Sequence, residues 1–395
     1  MISIYILWLF IFILIVVLFK LLNINKNYII CFLITIFIIL FVINLKTSIQ
    51  AAINGSKLVV TAILPTIFPF TVICNLLIRY DGINLYSKIL GPLICKPLGL
   101  SKSSSFPLVA SFICGYPLGA KYSSDIYSLG YIHKDEYERL LNIASNAGPI
   151  FILGSVAISM LNNIKFGYIL LISNYLSVFI IGLITRKSSK VLNNNFEKKI
   201  EAKEYNFGIN LKSSIEGAIT TTLNVSAFVI IFSVIISIIK STTSISAALT
   251  FLEKVFNLPN GLIYNLLLGS IEFTNGSKLI SDIQLPISLK LSIISFILCF
   301  SSLSVIAQVS SIISKDNPNI KKYILLKFIQ GILGFIITFI TSNILLTSVP
   351  TISISSNYSY NFIIYKIFLP LTLFLSISLF ISMFVNYIKR KLHSS

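Results

Sequence analysis

Charge is what this sequence has least of: 11% of its 395 residues are Asp, Glu, Lys or Arg, less than half of the roughly 25% usual in a soluble domain. With a mean hydropathy of +0.91, that scarcity excludes a soluble globular protein. Histidine is nearly absent. His133 and His393 lie far apart, so neither a His-containing triad nor a histidine metal cluster is on offer. The five cysteines, Cys31, Cys74, Cys95, Cys114 and Cys299, are scattered, and all but Cys95 fall inside apolar runs. That spacing supports no disulfide framework and no metal site. G-x-S-x-G, H-E-x-x-H, G-x-G-x-x-G and P-loop patterns do not occur, and the chain is read as a non-enzyme that needs no cofactor.

Acidic residues are the scarcer sign, 13 against 31 Lys and Arg, a net charge of +18. The basic residues stand in short clusters between apolar runs, with no Arg-rich or aromatic-interleaved patch that would track a phosphate backbone. They therefore read as a positive-inside signature and not as a nucleic-acid surface.

What is abundant is apolar: 55% of the chain, enough for about ten stretches of the ~20 residues a bilayer crossing needs. Runs of that length fall at about 4–22, 28–45, 58–78, 140–161, 166–185, 217–239, 287–313, 324–347 and 362–388. Segments 104–120 and 261–281 are apolar but broken by Gly, Pro, Ser, Asn and charge, which disfavours a plain lipid-exposed helix. The expected fold class is an all-α polytopic membrane protein with about nine transmembrane helices and two re-entrant broken segments. Met1 to Phe19 has no positively charged start, so the first run reads as a retained helix and not a cleaved signal.

Loop charges orient the chain. Arg186, Lys187, Lys190, Lys198, Lys199 and Lys203 place the 186–212 loop in the cytoplasm; Lys315, Lys321 and Lys322 do so for 314–322. Lys389, Arg390 and Lys391 make the C-terminus cytoplasmic, and Arg79, Lys88, Lys96 and Lys102 assign 79–102 to the same side, whereas 348–361 carries no charge. These assignments agree only if each broken segment enters the membrane and returns to the same face. Lys46 and Lys57 then lie on the outer side.

An internal repeat emerges when 55–73 (GSKLVVTAILPTIFPFTVI) is set against 217–235 (GAITTTLNVSAFVIIFSVI). About 60 residues later each half carries its broken segment, GYPLGAK at 115–121 and EFTNGSK at 272–278, followed by SNAGPIFILGSV at 145–156 and CFSSLSVIAQV at 299–309. The charge count runs 58–78 inward and 217–239 outward, so the halves are expected to be inverted. This gives an N-terminal transmembrane hairpin at 1–45, a first repeat at 46–185, a cytoplasmic basic linker at 186–212, a second repeat at 213–313 and C-terminal helices with a basic tail at 314–395. Inverted repeats with paired Gly/Pro-interrupted segments commonly hold a binding site near the midplane.

Candidate substrate-binding residues follow from those interruptions. In the first half they are Gly115, Tyr116, Pro117, Gly119, Lys121 and Asn146. In the second they are Glu272, Thr274, Asn275, Gly276, Lys278 and Ser302. The first stretch contains G-x-x-x-G, a helix-packing pattern, but Pro117 inside it removes a donor and breaks the turn. Its freed backbone groups can meet a ligand. Glu272 and Lys278 are ionisable groups in an apolar region and so functional candidates; against this stands the plainer reading that Lys121 and Lys278 snorkel to an interface while Glu272 pairs internally. Pro65 and Pro69, inside the 58–78 run, are expected to kink it. Ser145, Asn146, Pro149, Ser301, Ser302 and Gln308 put uncharged hydrogen-bonding groups beside the breaks, which suits a polar, neutral or zwitterionic ligand but also suits helix-to-helix bonding.

LPTIFPFTVICNLLI at 64–78, CGYPLGAK at 114–121, ERLLNIASNAGPIFILGSV at 138–156 and GSIEFTNGSK at 269–278 together resemble the sporulation integral membrane protein YlbJ family, whose members contain a nucleoside-recognition or Gate domain. The resemblance runs from about 50 to 310. It implies a cytoplasmic-membrane protein of endospore-forming bacteria needed for spore cortex formation, and kinship with nucleoside transporters whose inverted repeats enclose substrate between re-entrant hairpins. Of the acidic and amide side chains such sites use, only Glu272, Asn275 and Asn146 are available, and GYPLGAK has no carboxylate. Two functions are weighed: a multi-pass permease for a small polar solute, and a non-transporting scaffold or receptor recruiting sporulation proteins. The expected partners are the lipid bilayer, a small polar solute and sporulation proteins.

Overall fold

The computed structural model describes residues 25–186 and 206–346, apart from 242 and 257. The expected crossings at 4–22 and 362–388, the basic tail and most of the 186–212 linker lie outside the described residues. Within them the chain is helical throughout and contains no strand.

Helix α1 (Lys26–Ile43) starts where the Asn25 side chain accepts the Asn27 N–H at 3.2 Å. Phe32, Leu33, Ile34, Ile38 and Ile39 stand exposed on it, the all-round apolar surface of a helix suited to lipid. At Asn44 the path turns by 97° into α2 (Leu45–Leu58), which runs through one wide π turn (Val59–Ile63) into α3 (Leu64–Arg79). The π turn sits where Pro65 would otherwise press its ring on the carbonyl four residues back, at Thr61; the Leu64 N–H instead reaches Val59. The expected kink at 65–69 is thus absorbed into a continuous rod. At 1.5 Å per residue the 45–79 rod is roughly 50 Å long, well beyond a ~30 Å hydrocarbon core.

The second long rod, α9 (Phe207–Ser241), lies antiparallel on the first. Gly55 abuts Ser233 and Ile230, the Thr47 carbonyl takes the Ser237 hydroxyl at 3.3 Å, and at the other end Asn75 Nδ2 donates to the Ser214 carbonyl at 3.1 Å. Arg79 also bonds Ser213 there.

After a short helix α4 (Gly82–Ile89), helices α5 (Ser105–Cys114) and α6 (Leu118–Ser128) fold back on each other. Their core is Phe106, Leu118, Tyr122 and Ile126, each at most 2% exposed, with Phe106 edge-on to Tyr122 at 5.3 Å. Helix α7 (Lys134–Ile143) then stops, five residues (144–148) run without helix, and a π-helical segment (Ile150–Met160) entered at Pro149 leads to α8 (Ile164–Ile184).

Past α9 and α10 (Thr243–Val255), α11 (Leu262–Ile271) and α12 (Phe273–Asp282) form a second hairpin. A second interrupted pair follows: α13 (Ile287–Phe300) breaks at Ser301 and Ser302, both at positive φ, before α14 (Ser302–Ile312). Helix α15 (Ile320–Leu346) closes the described chain against α13 and α8.

Among the described residues four helices are long and apolar enough to cross a membrane: Ile164–Ile184, Phe207–Ser241, Ile287–Ile312 and Ile320–Leu345. A fifth results if the bent pair Asn27–Ile43 and Leu45–Thr61 counts as one span. The runs at 58–78 and 140–161 do not appear as single full-length α-helices. The first is part of a longer rod, and the second is cut by its own break.

Candidate functional site

The two hairpin tips and the break of the α7 segment meet at one place. At the first tip, Gly115 takes φ +83, a conformation natural only to glycine, and a cis Tyr116-Pro117 peptide turns the chain. The Tyr116 N–H donates to the Asn146 carbonyl at 2.6 Å, so this tip is seated directly on the α7 break. Glycine makes that seat. A Cβ on Gly115 would fall 2.3 Å from the Gly148 nitrogen, and one on Gly148 would fall 2.5 Å from the Cys114 carbonyl oxygen. The G-x-x-x-G pattern therefore serves backbone contact between a hairpin and an unwound segment.

The second tip is built by Glu272. Its carboxylate accepts the N–H groups of Thr274 and Asn275, each at 2.8 Å, and Asn275 Nδ2 at 2.9 Å. This is an N-cap on α12, satisfying two donors that a helix start leaves free. Gly269 and Gly276 then face one another across the hairpin, a Cβ on Gly276 reaching to 2.0 Å from the Gly269 Cα. The tips touch through aromatic rings: Phe273 stands edge-on to Tyr116 at 5.2 Å and to Phe151 of the π-helical segment at 4.8 Å.

The Tyr116 hydroxyl is shut off from solvent and has no hydrogen-bond partner among the described residues. The same holds for the hydroxyls of Ser301, at the second helix break, and Ser277, in α12. Buried polar groups in proteins are normally paired, so unpaired hydroxyls at a hairpin tip and a helix break suit a polar ligand. Ser302 is fully buried and bonds Ser304 at 2.9 Å.

Other sequence-chosen residues are already engaged. Asn146 is fully buried, its amide donating to the Ile143 carbonyl at 2.6 Å and Ser111 Oγ at 3.2 Å while its oxygen accepts from Gln330 Nε2 at 3.3 Å. Gly119 lies against the Ala144 carbonyl. Lys121 and Lys278 stand further along α6 and α12 and do not reach the tips. Lys121 pairs with Asp125 at 2.7 Å and donates to Asn75 Oδ1 at 3.2 Å. Lys278 pairs with Asp282 at 3.0 Å, both side chains more than half exposed. The two halves thus share a lysine with an aspartate one turn on.

Sequence reasoning also passed over Lys327, Gln330, Tyr323, Asn174 and Ser177. Tyr323, Lys327 and Gln330 share one stripe of α15, at spacings of four and three. Lys327 donates to the Ser145 carbonyl and, at 2.8 Å, to Gln330 Oε1. The Tyr323 hydroxyl meets Ser145 Oγ at 2.8 Å, and Asn174 Nδ2 donates to the Ala147 carbonyl at 3.2 Å. This polar network holds the unwound 144–148 stretch open. Among the described residues no group of three or more His, Cys, Asp or Glu is placed to hold a metal ion.

A family model described as Gate, nucleoside recognition, matches residues 60–140. The sporulation integral membrane protein YlbJ of Bacillus subtilis is 27% identical over 308 residues, 73% of this chain and 76% of that protein. Among solved structures, a variant of CNTnw in the intermediate 3 state aligns with a TM-score of 0.45 at 17% identity, covering 78% of this chain and 86% of that one. CNTnw in an inward-facing substrate-bound state aligns at 0.40 and 14%, covering 73% and 76%. The chain, helical among the described residues, is a multi-pass integral membrane protein, similar over most of its length to a sporulation protein, and the segment that matches the Gate model runs from the π turn before α3 through the first hairpin tip into α7.

Proposed function

We propose that this chain is a permease for a small polar solute, acting in spore formation, with the solute held where the two hairpin tips meet the two helix breaks. The observation that carries the reading is the buried, unpartnered Tyr116 hydroxyl at the contact between tips. The Gate match over 60–140, which includes Tyr116, makes nucleosides the first solute class to test. Two inverted repeats at 46–185 and 213–313 are part of the proposal. The antiparallel 45–79 and 207–241 rods, of matching length, support it, as do a hairpin followed by an interrupted helix in each half and the paired Lys121–Asp125 and Lys278–Asp282 bridges. Nine crossings, the cytoplasmic 186–212 linker, a cytoplasmic C-terminus in the cell membrane, a role in the spore cortex and the absence of enzymatic activity belong to the same proposal.

A scaffold or receptor function has one observation in its favour: Glu272, Asn275 and Asn146 spend their polar groups on this chain's own structure. Equilibrium binding of a nucleoside panel to the purified full chain and its Tyr116→Phe variant separates the two. Saturable binding weakened tenfold or more in the variant supports transport. No binding by the wild type, together with capture of a cortex-synthesis protein through the 186–212 linker, supports the scaffold.

A further inference from the structure

Lys327 lies in the run 324–347, which reads on hydropathy as an ordinary crossing. Its side chain is completely buried, five residues, or about 7.5 Å of helix rise, beyond the exposed Lys322. An ionisable group inside a membrane span is costly and is retained where it has a function. No ion pair involves Lys327 among the described residues, and the acceptors of its ammonium are neutral: the Ser145 carbonyl and Gln330 Oε1.

The place to which this nitrogen is delivered is what gives it meaning. Ser145 follows Ala144, the C-cap of α7. The last carbonyls of a helix have no donor within it, and the helix dipole concentrates partial negative charge at that end. In transporters with broken helices, half-helix C-terminal ends and unwound carbonyls are where coupling cations are coordinated. Here the position is filled from within. Tyr323 and Gln330 on the same face fix the ammonium against the break: Tyr323 bonds Ser145 Oγ, and Gln330 spans Lys327, Asn146 Oδ1 and, at 3.3 Å, Ser177 Oγ.

We propose that Lys327 Nζ is a tethered cation occupying the cation position of the first helix break, so that the break is complete without a bound Na+ or other coupling cation. The assignment rests on reading 144–148 as a gap in a membrane-spanning segment and is independent of which solute is carried.

The test is thermal unfolding of the full chain in detergent, with no solute present, titrated with NaCl, KCl, choline chloride or methylammonium chloride at constant ionic strength. The wild type is expected to melt at the same temperature in all four. Lys327→Ala is expected to melt several degrees lower, and Na+ or methylammonium, but not choline, should restore at least half of the loss. Lys327→Met should be destabilised and not restored, because its side chain fills the space without charge. Saturable stabilisation of the wild type by Na+ would overturn the proposal, as would a Lys327→Ala protein that no small cation restores or a Lys327→Met protein as stable as the wild type. If both variants fail to accumulate, the wild-type titration decides by itself: a Na+-specific shift refutes the tethered cation, and its absence supports it. Since no solute enters this experiment, its outcome is separate from that of nucleoside binding.

Discussion

Gly119 of α6 and Ala144 at the end of α7 touch backbone to backbone: a Cβ on Gly119 would lie 1.8 Å from the Ala144 carbonyl oxygen and 2.6 Å from Ser111 Cβ. The obstacle is main chain, which cannot rotate away, and α6 is buried at this point. Gly119→Ala is therefore expected to destabilise the chain by about 3 kcal/mol, the upper part of the range for overpacking a core, or to prevent its accumulation. Gly276→Ala should behave alike, because its Cβ would reach 2.0 Å from Gly269. Gly208→Ala is the control. It meets only the Asn206 side chain at 3.3 Å on an exposed face, and should change the unfolding temperature little. Equal melting of all three variants would show that the hairpins do not close as described.

Glu272 gives a second expectation. Each carboxylate oxygen takes a backbone N–H at the start of α12. Glu272→Ala should cost about 1 kcal/mol, as loss of an N-cap does, and loosen the tip. Glu272→Gln keeps one carbonyl acceptor and should lose less. Unfolding curves check the order wild type, Gln, Ala. If Gln melts below Ala, the carboxylate is answering a charge and not the helix start.

Both hairpins were visible in the sequence because each tip needs something an apolar helix does not: Gly115 and Pro117 in one, Glu272 in the other. The break after α7 was not legible: 140–161 reads as one crossing, with Ser145, Asn146 and Pro149 only as groups beside the hairpin breaks. The break at Ser301 and Ser302 left only a run of small residues, since serine neither forbids a helix nor marks a left-handed turn. Lys327 was hidden for a different reason. A single cation is averaged away in a long apolar window, and its burial comes from α7 and α8, which lie far off in the sequence. Lys121 and Lys278, chosen for their nearness to the tips, point along their own helices, each to the aspartate one turn on.

Those two lysines differ in a measurable way. Lys278 and Asp282 are 53% and 56% exposed, whereas Lys121 and Asp125 are 15% and 35% exposed and Lys121 also reaches Asn75 on α3. Exposed pairs contribute little because water and salt screen them. A double-mutant cycle, Lys to Ala with Asp to Ala, is expected to give no measurable coupling for Lys278–Asp282 and a clear one for Lys121–Asp125. Adding salt should leave the second largely intact. Equal coupling in both pairs would contradict the difference in burial.

The orientation of the halves can be checked through α9. At one end Asn75 and Arg79 bond Ser214 and Ser213; in the sequence Ser213 follows the basic 186–212 run, and Arg79 precedes Lys88, Lys96 and Lys102. The Thr47–Ser237 bond marks the other end, which leads into α10. Basic loops stay in the cytoplasm, so α10 is expected outside and α4 inside. In a background with the exposed Cys31 changed to Ser, a cysteine at Lys254 should react with a membrane-impermeant maleimide on intact cells. A cysteine at Lys88 should react only after permeabilisation; both positions are exposed on the protein. Labelling of Lys88→Cys alone would reverse the orientation. Labelling of both on intact cells would place the two ends of α9 on one face and remove the inverted arrangement altogether, because a rod that crosses once cannot present both ends to the same side.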